Sequence, residues 1–123
     1  MDDMMLQDLA MQVGTVLAQQ ELMLVTAESC TGGWLGQVIT SVTGSSGWYE
    51  RGFITYATAS KQEMLGVTNA TLEQYGSVSE QTASEMAAGA IARSHAQVAV
   101  SVTGIAGPEG GTEEKPVGMV CLA

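Results

Sequence analysis

Apolar positions in this chain change their period along its length, and the changes mark out its elements. Leu6, Leu9, Val13, Val16 and Leu17 recur at helical spacing, so an amphipathic helix is predicted from about Met4 to Gln19. Asp2 and Asp3 suit the positive end of its dipole. Met23 to Ala27 is a short, almost unbroken apolar run, the mark of one buried strand. Trp34, Leu35, Val38, Ile39 and Val42 return to the helical period, so a second helix is expected from near Thr31. From Arg51 to Ala57 the pattern alternates, with Phe53, Thr55 and Ala57 on one face and Ile54 and Tyr56 on the other, as in a strand.

The second half repeats the strand–helix alternation. Thr58 to Gly66 reads as a short helix with Gly66 at its end, capped by Thr58 or by Ser60 with Glu63. Thr68 or Asn69 caps another, running to Tyr75-Gly76. Ser79 caps a longer helix whose expected buried stripe is Ala83, Met86, Ala87, Ala90 and Ile91, small enough for close approach. Val98 to Thr103 is nearly all apolar and is therefore expected at the centre of a sheet. Val117 to Leu122 is apolar on both faces and reads as a last strand, buried between layers. The alternation predicts an α/β sandwich around a mostly parallel sheet. At 123 residues the chain has room for one domain, residues 1–123. Because the sequence stops at Leu122-Ala123 inside an apolar strand, it is expected to be truncated, with C-terminal elements missing.

Composition narrows the function. The formal net charge is −9, with no concentration of Lys or Arg to neutralise phosphates, which argues against DNA or RNA as a partner. No run approaches the ~20 apolar residues of a membrane span. Met1-Asp2-Asp3 lacks the features of a signal peptide, so the cytoplasm is the expected location. Two cysteines, Cys30 and Cys121, and one histidine, His95, form neither a disulfide framework nor a zinc pattern.

Chemistry concentrates in Glu28-Ser29-Cys30-Thr31-Gly32-Gly33, between the first strand and the second helix. A strand-to-helix turn lifts side chains clear of the sheet and aims backbone N–H groups at whatever binds there. Ordinary capping by Ser29 or Thr31 also accounts for the pattern. As nucleophiles the turn offers Ser29 and Cys30. A cysteine–histidine pair or a serine triad would need His95, which has no evident orienting partner. A serine–lysine arrangement remains: Tyr56 and Lys61 follow the second strand and reach the same sheet edge if the two strands are neighbours. A second glycine-rich segment, Thr103 to Thr112, also follows a strand directly, and is a binding loop or a plain connection. Trp48 and Tyr49 are core plugs or a stacking wall, with core favoured.

The strings TAESCTGG (Thr26 to Gly33), GSSGWYERGFITYATASK (Gly44 to Lys61), LGV (Leu65 to Val67), YGSVSE (Tyr75 to Glu80) and TGIAGPEGGTEEKPVG (Thr103 to Gly118) resemble the CinA C-terminal domain family, and within it the stand-alone nicotinamide-nucleotide amidases. The resemblance implies a three-layer α/β/α sandwich with a mixed sheet. It implies hydrolysis of nicotinamide mononucleotide to nicotinate mononucleotide and ammonia, in pyridine nucleotide recycling. By resemblance, Ser29 is the nucleophile, with Lys61 and Tyr56 as its catalytic partners. Glu28, Thr31, Gly32, Gly33, Ser46, Thr103 and Gly104 fall on the substrate pocket. The amides of Gly32 and Gly33 are the expected oxyanion donors. No cofactor or metal is implied; the partner is a small pyridine nucleotide, and the chain is expected to form a homo-oligomer. The alternative is a catalytically silent nucleotide-binding or interaction module that keeps the pocket.

Overall fold

The computed structural model describes residues 2–123, in which helices cover both faces of a four-stranded sheet. In chain order the elements are α1 (Asp3–Gln19), β1 (Leu24–Glu28), α2 (Trp34–Thr40), a single 3-10 turn (Ser45–Gly47), β2 (Tyr49–Ile54), α3 (Thr58–Leu65), α4 (Asn69–Tyr75), α5 (Glu80–Ala92), β3 (Val98–Gly104) and β4 (Val120–Leu122). The strand order is β2-β1-β3-β4, with β1 parallel to both neighbours and β4 antiparallel to β3. The α/β class and the mixed, mostly parallel sheet agree with the sequence reading.

All five residues of β1 are buried, because both its faces are covered. Leu24 meets Leu17 of α1, Ile39 of α2 and Trp48 on one side; Val25 and Ala27 meet Leu65, Met86 and Ala90 on the other. These two apolar cores separate three layers. Glycine sets the closest approaches. A Cβ on Gly89 of α5 would lie 1.8 Å from the Leu65 carbonyl oxygen at the end of α3. One on Gly14 of α1 would lie 2.3 Å from the Trp48 ring, so Trp48 is a core plug.

Several elements differ from expectation for local reasons. In α1 the buried face is Ala10, Gly14 and Leu17, while Leu9, Val13 and Val16 are exposed. The Trp48 indole seats on Gly14, so this side of α1 turns inward, and Leu9 and Val13 border a cleft of ≈ 270 Å³. Helix α2 starts at Trp34 rather than Thr31, because Gly32 (φ 60°) and Gly33 (φ 102°) hold the turn in the left-handed region. Strand β2 starts at Tyr49 and ends at Ile54, leaving Thr55, Tyr56 and Ala57 to lead into α3. No side chain caps α3; the Ser60 hydroxyl donates instead to the Ala57 carbonyl. In α5, Thr82 and Gly89 are buried where Ala87 and Ile91 were expected. Thr68, one of the two caps expected for α4, and Ser79, the cap expected for α5, close those helix starts. Strand β4 keeps only three residues, since the turn closed by Met119 N–H to Pro116 O, with Gly118 at φ 93°, breaks the run. Its Val120 and Leu122 are 54% and 64% exposed, not buried between layers.

Candidate active site

The parallel strands β1, β2 and β3 all end on one edge of the sheet, where open α/β sheets place their ligand sites. Ser29 follows the last residue of β1, and its amide donates to the Val102 carbonyl of β3 (3.0 Å). Thr55, the first residue after β2, donates its amide to the Glu28 carbonyl (2.8 Å). Lys61 lies one turn before Leu65 on α3, so both side chains share the helix face that packs on the sheet. That placement draws a normally solvated side chain inward, and Lys61 is 2% exposed.

There Lys61 Nζ lies 2.9 Å from Ser29 Oγ, 2.9 Å from the Thr55 carbonyl and 3.2 Å from that of Tyr56. All three partners are uncharged oxygens. Burial therefore pulls the Lys61 amine below its ordinary value, with Cys30 opposing in part. An uncharged amine has two N–H groups for the two carbonyls and one lone pair, which then faces the Ser29 hydroxyl. Cys30 beside it is half-buried, and burial pushes its thiol up.

Tyr56 meets Lys61 through its backbone only. Its phenol is 72% exposed, because the alternation that turns Thr55 inward turns Tyr56 out. The other expected pocket residues divide. The Glu28 carboxylate accepts from Thr31 Oγ1 (2.6 Å) and the amides of Leu35 and Gly36 (2.9 Å each), so Glu28 and Thr31 bond to protein. Thr103 Oγ1 donates to the Ser77 carbonyl (2.9 Å). Gly104 lets the strand end pass the turn: an added Cβ would sit 2.9 Å from Cys30 Sγ. Ser46 is not at this edge. It is exposed in the turn before β2, a strand's length away at the opposite end of the sheet. The Gly32 amide donates to the Ser29 carbonyl (3.1 Å) and is spent, whereas those of Cys30, Thr31 and Gly33 have no backbone acceptor among the described residues. The sequence reading missed Thr55, whose contribution is a backbone carbonyl without a side-chain signature. His95 is exposed beyond α5, away from the pair. Among the described residues no cluster of His, Cys, Asp or Glu could hold a metal ion, and no helix is long and apolar enough to cross a membrane.

Fold and site define a three-layer α/β protein with a buried serine–lysine contact at the carboxyl edge of its sheet. The CinA C-terminal domain model matches residues 6–123, and the chain belongs to that family. It is 53% identical over 123 residues to the nicotinamide-nucleotide amidohydrolase PncC of Escherichia coli, covering 100% of this chain and 74% of that protein. It is 59% identical over 107 residues to a CinA-like protein of Akkermansia muciniphila, covering 87% of this chain and 26% of that longer protein. Among solved structures, the competence/damage inducible protein CihA of Agrobacterium tumefaciens superposes with a TM-score of 0.93 at 50% identity, over 99% of this chain and 73% of that one.

Proposed function

We propose that this chain is an amidohydrolase that converts nicotinamide mononucleotide to nicotinate mononucleotide and ammonia, within pyridine nucleotide recycling. The observation that carries the reading is the 2.9 Å approach of a buried lysine amine, with no carboxylate partner, to a serine hydroxyl at a strand-to-helix turn. The 53% identity to a protein named as that amidohydrolase supports the substrate. Ser29 Oγ attacks the carboxamide carbon while its proton passes to the uncharged Lys61 amine. The resulting oxyanion is met by turn amides, with those of Cys30, Thr31 and Gly33 available and that of Gly32 engaged. Lys61 returns the proton to the departing ammonia, leaving a Ser29 acyl ester. Water, deprotonated by the same amine, cleaves the ester to the carboxylate and restores Ser29. Tyr56 serves through its carbonyl, which holds one Lys61 N–H.

Two free cysteines suit a compartment that keeps thiols reduced, and we place the protein in the cytoplasm, as a homo-oligomer. The test is ammonia release from nicotinamide mononucleotide. Ser29→Ala should abolish it with the melting temperature kept, and Cys30→Ala should be tolerated. A dead Cys30→Ala beside an active Ser29→Ala would sink the assignment, and a wild-type chain releasing no ammonia would favour a silent binding module.

A further inference from the structure

Glu28 is the only acidic residue in the buried set of the described residues, 2% exposed, and the hydrolysis above gives it no chemical step. No lysine, arginine or histidine pairs with it. Its charge is met by the N-terminus of α2, through the Leu35 and Gly36 amides, and by the Thr31 hydroxyl. Its backbone carbonyl accepts the Thr55 amide at 2.8 Å, and Thr55 in turn accepts from Lys61 Nζ. One residue thus anchors both arms of the serine–lysine contact: the side chain fixes the turn carrying Ser29, and the main chain fixes the carbonyl that aims Lys61.

We propose that Glu28 is a positioning residue that holds Ser29 in register with Lys61 and leaves Ser29, rather than the adjacent Cys30, as the reactive nucleophile; this rests on the amidase reading. The second half follows from where the helix amides point. A cysteine beside a free helix N-terminus gains thiolate character from it. Here the Leu35 and Gly36 amides are directed at the Glu28 carboxylate, so the positive end of α2 is neutralised beneath the turn. Burial holds Cys30 as a thiol, and the Glu28 charge adds to that hold against the nearby backbone amides and the Lys61 amine, which pull the other way. Ser29 needs no help from the helix, since Lys61 serves it directly.

The test compares wild type, Glu28→Gln and Thr31→Val in three readouts on the same chain: kcat and KM for ammonia release, Ser29 phosphonylation by a fluorophosphonate, and iodoacetamide alkylation of each cysteine. Glutamine keeps the shape but has one acceptor oxygen, so its NH2 group must face an N–H donor. In Glu28→Gln, Ser29 labelling and kcat should fall about tenfold or more with KM nearly unchanged, as a small misplacement of reacting groups does. Cys30 alkylation should rise while Cys121, buried on β4, stays protected and reports that the fold is intact. Thr31→Val, which removes one of the three donors to the carboxylate, should move the same readouts in the same direction by less. Unchanged Ser29 labelling and Cys30 alkylation in both variants would overturn the proposal. If Glu28→Gln also exposes Cys121, Thr31→Val decides on the same criteria. A wild-type chain that takes no fluorophosphonate at Ser29 is a different result, and counts against the amidase reading itself.

Discussion

Lys61 can take the Ser29 proton only when uncharged, and its surroundings favour that state: a dry face of α3 and three neutral oxygens. Because burial lowers its pKa from 10.5, the uncharged fraction appears at lower pH than for a solvated lysine. The active fraction grows as pH rises through that lowered value. Turnover should therefore climb with pH along a limb lying below 10.5 and then level off; a profile flat from acid to alkaline pH would deny Lys61 the role of base. Lys61→Arg should be inactive, because a guanidinium keeps its proton; near-normal turnover would show that charge alone suffices. Scarcity in the sequence pointed towards Lys61 beside Ser29 or Cys30, and the family resemblance selected Ser29 with Lys61. One histidine and four basic residues left few candidate bases, and the strand ends gave them a common edge. Thr55 was not legible, since its carbonyl is supplied by backbone geometry. That Ser46 lies at the other end of β2 was not legible, because a motif says which residues are near in sequence, not at which end of a strand they fall.

At the level of elements, the site depends on how closely α5 lies against α3. The Gly89–Leu65 contact leaves no room for a methyl group, so Gly89→Ala must push apart the helix that carries Lys61 and the helix behind it. Overpacking of this kind costs about 1–3 kcal/mol, and the melting temperature and ammonia release should fall together. Gly47, where an added Cβ would meet nothing within 4 Å, supplies the control: Gly47→Ala should melt like wild type. Equal melting of the two variants would mean that α3 and α5 yield without cost. Small-residue patterning on α5 predicted that this helix packs closely, though not that the contact falls at Gly89 against α3, and the hydroxyl–helix spacing offered the caps at Thr68 and Ser79. Which face of α1 turns inward was not readable. Leu9, Val13 and Val16 keep a good helical period, but the face is chosen by the Trp48 indole, which arrives from far along the chain and needs Gly14. The last strand was read as too long because an apolar period does not show that Pro116 and Gly118 turn the backbone before Val120.

Over the whole molecule, apolar surface is unevenly distributed. Val120 and Leu122 are exposed on β4, which ends the strand order and has no outer neighbour among the described residues. A cleft of ≈ 590 Å³ beside them is lined by Tyr75, Val78 and Lys115. Leu9 and Val13 of α1 border the second, apolar cleft. The accessible surface is 7066 Å², whereas a compact monomer of this mass exposes about 6,300 Å². The excess is about 800 Å². An unpaired edge flanked by apolar side chains is a template for another strand. These 123 residues, tested as they stand, should therefore associate through β4. Their net charge of −9 opposes that contact, so association should strengthen as salt screens the repulsion, the reverse of an ion-paired interface. Light scattering over a concentration series at low and high salt reads this directly. Val120→Lys with Leu122→Lys should return the chain to monomer, since edge lysines block strand addition and neither residue touches the serine–lysine contact. A wild-type chain that stays monomeric at high concentration and high salt would show that the β4 edge is protected by its own twist and shortness.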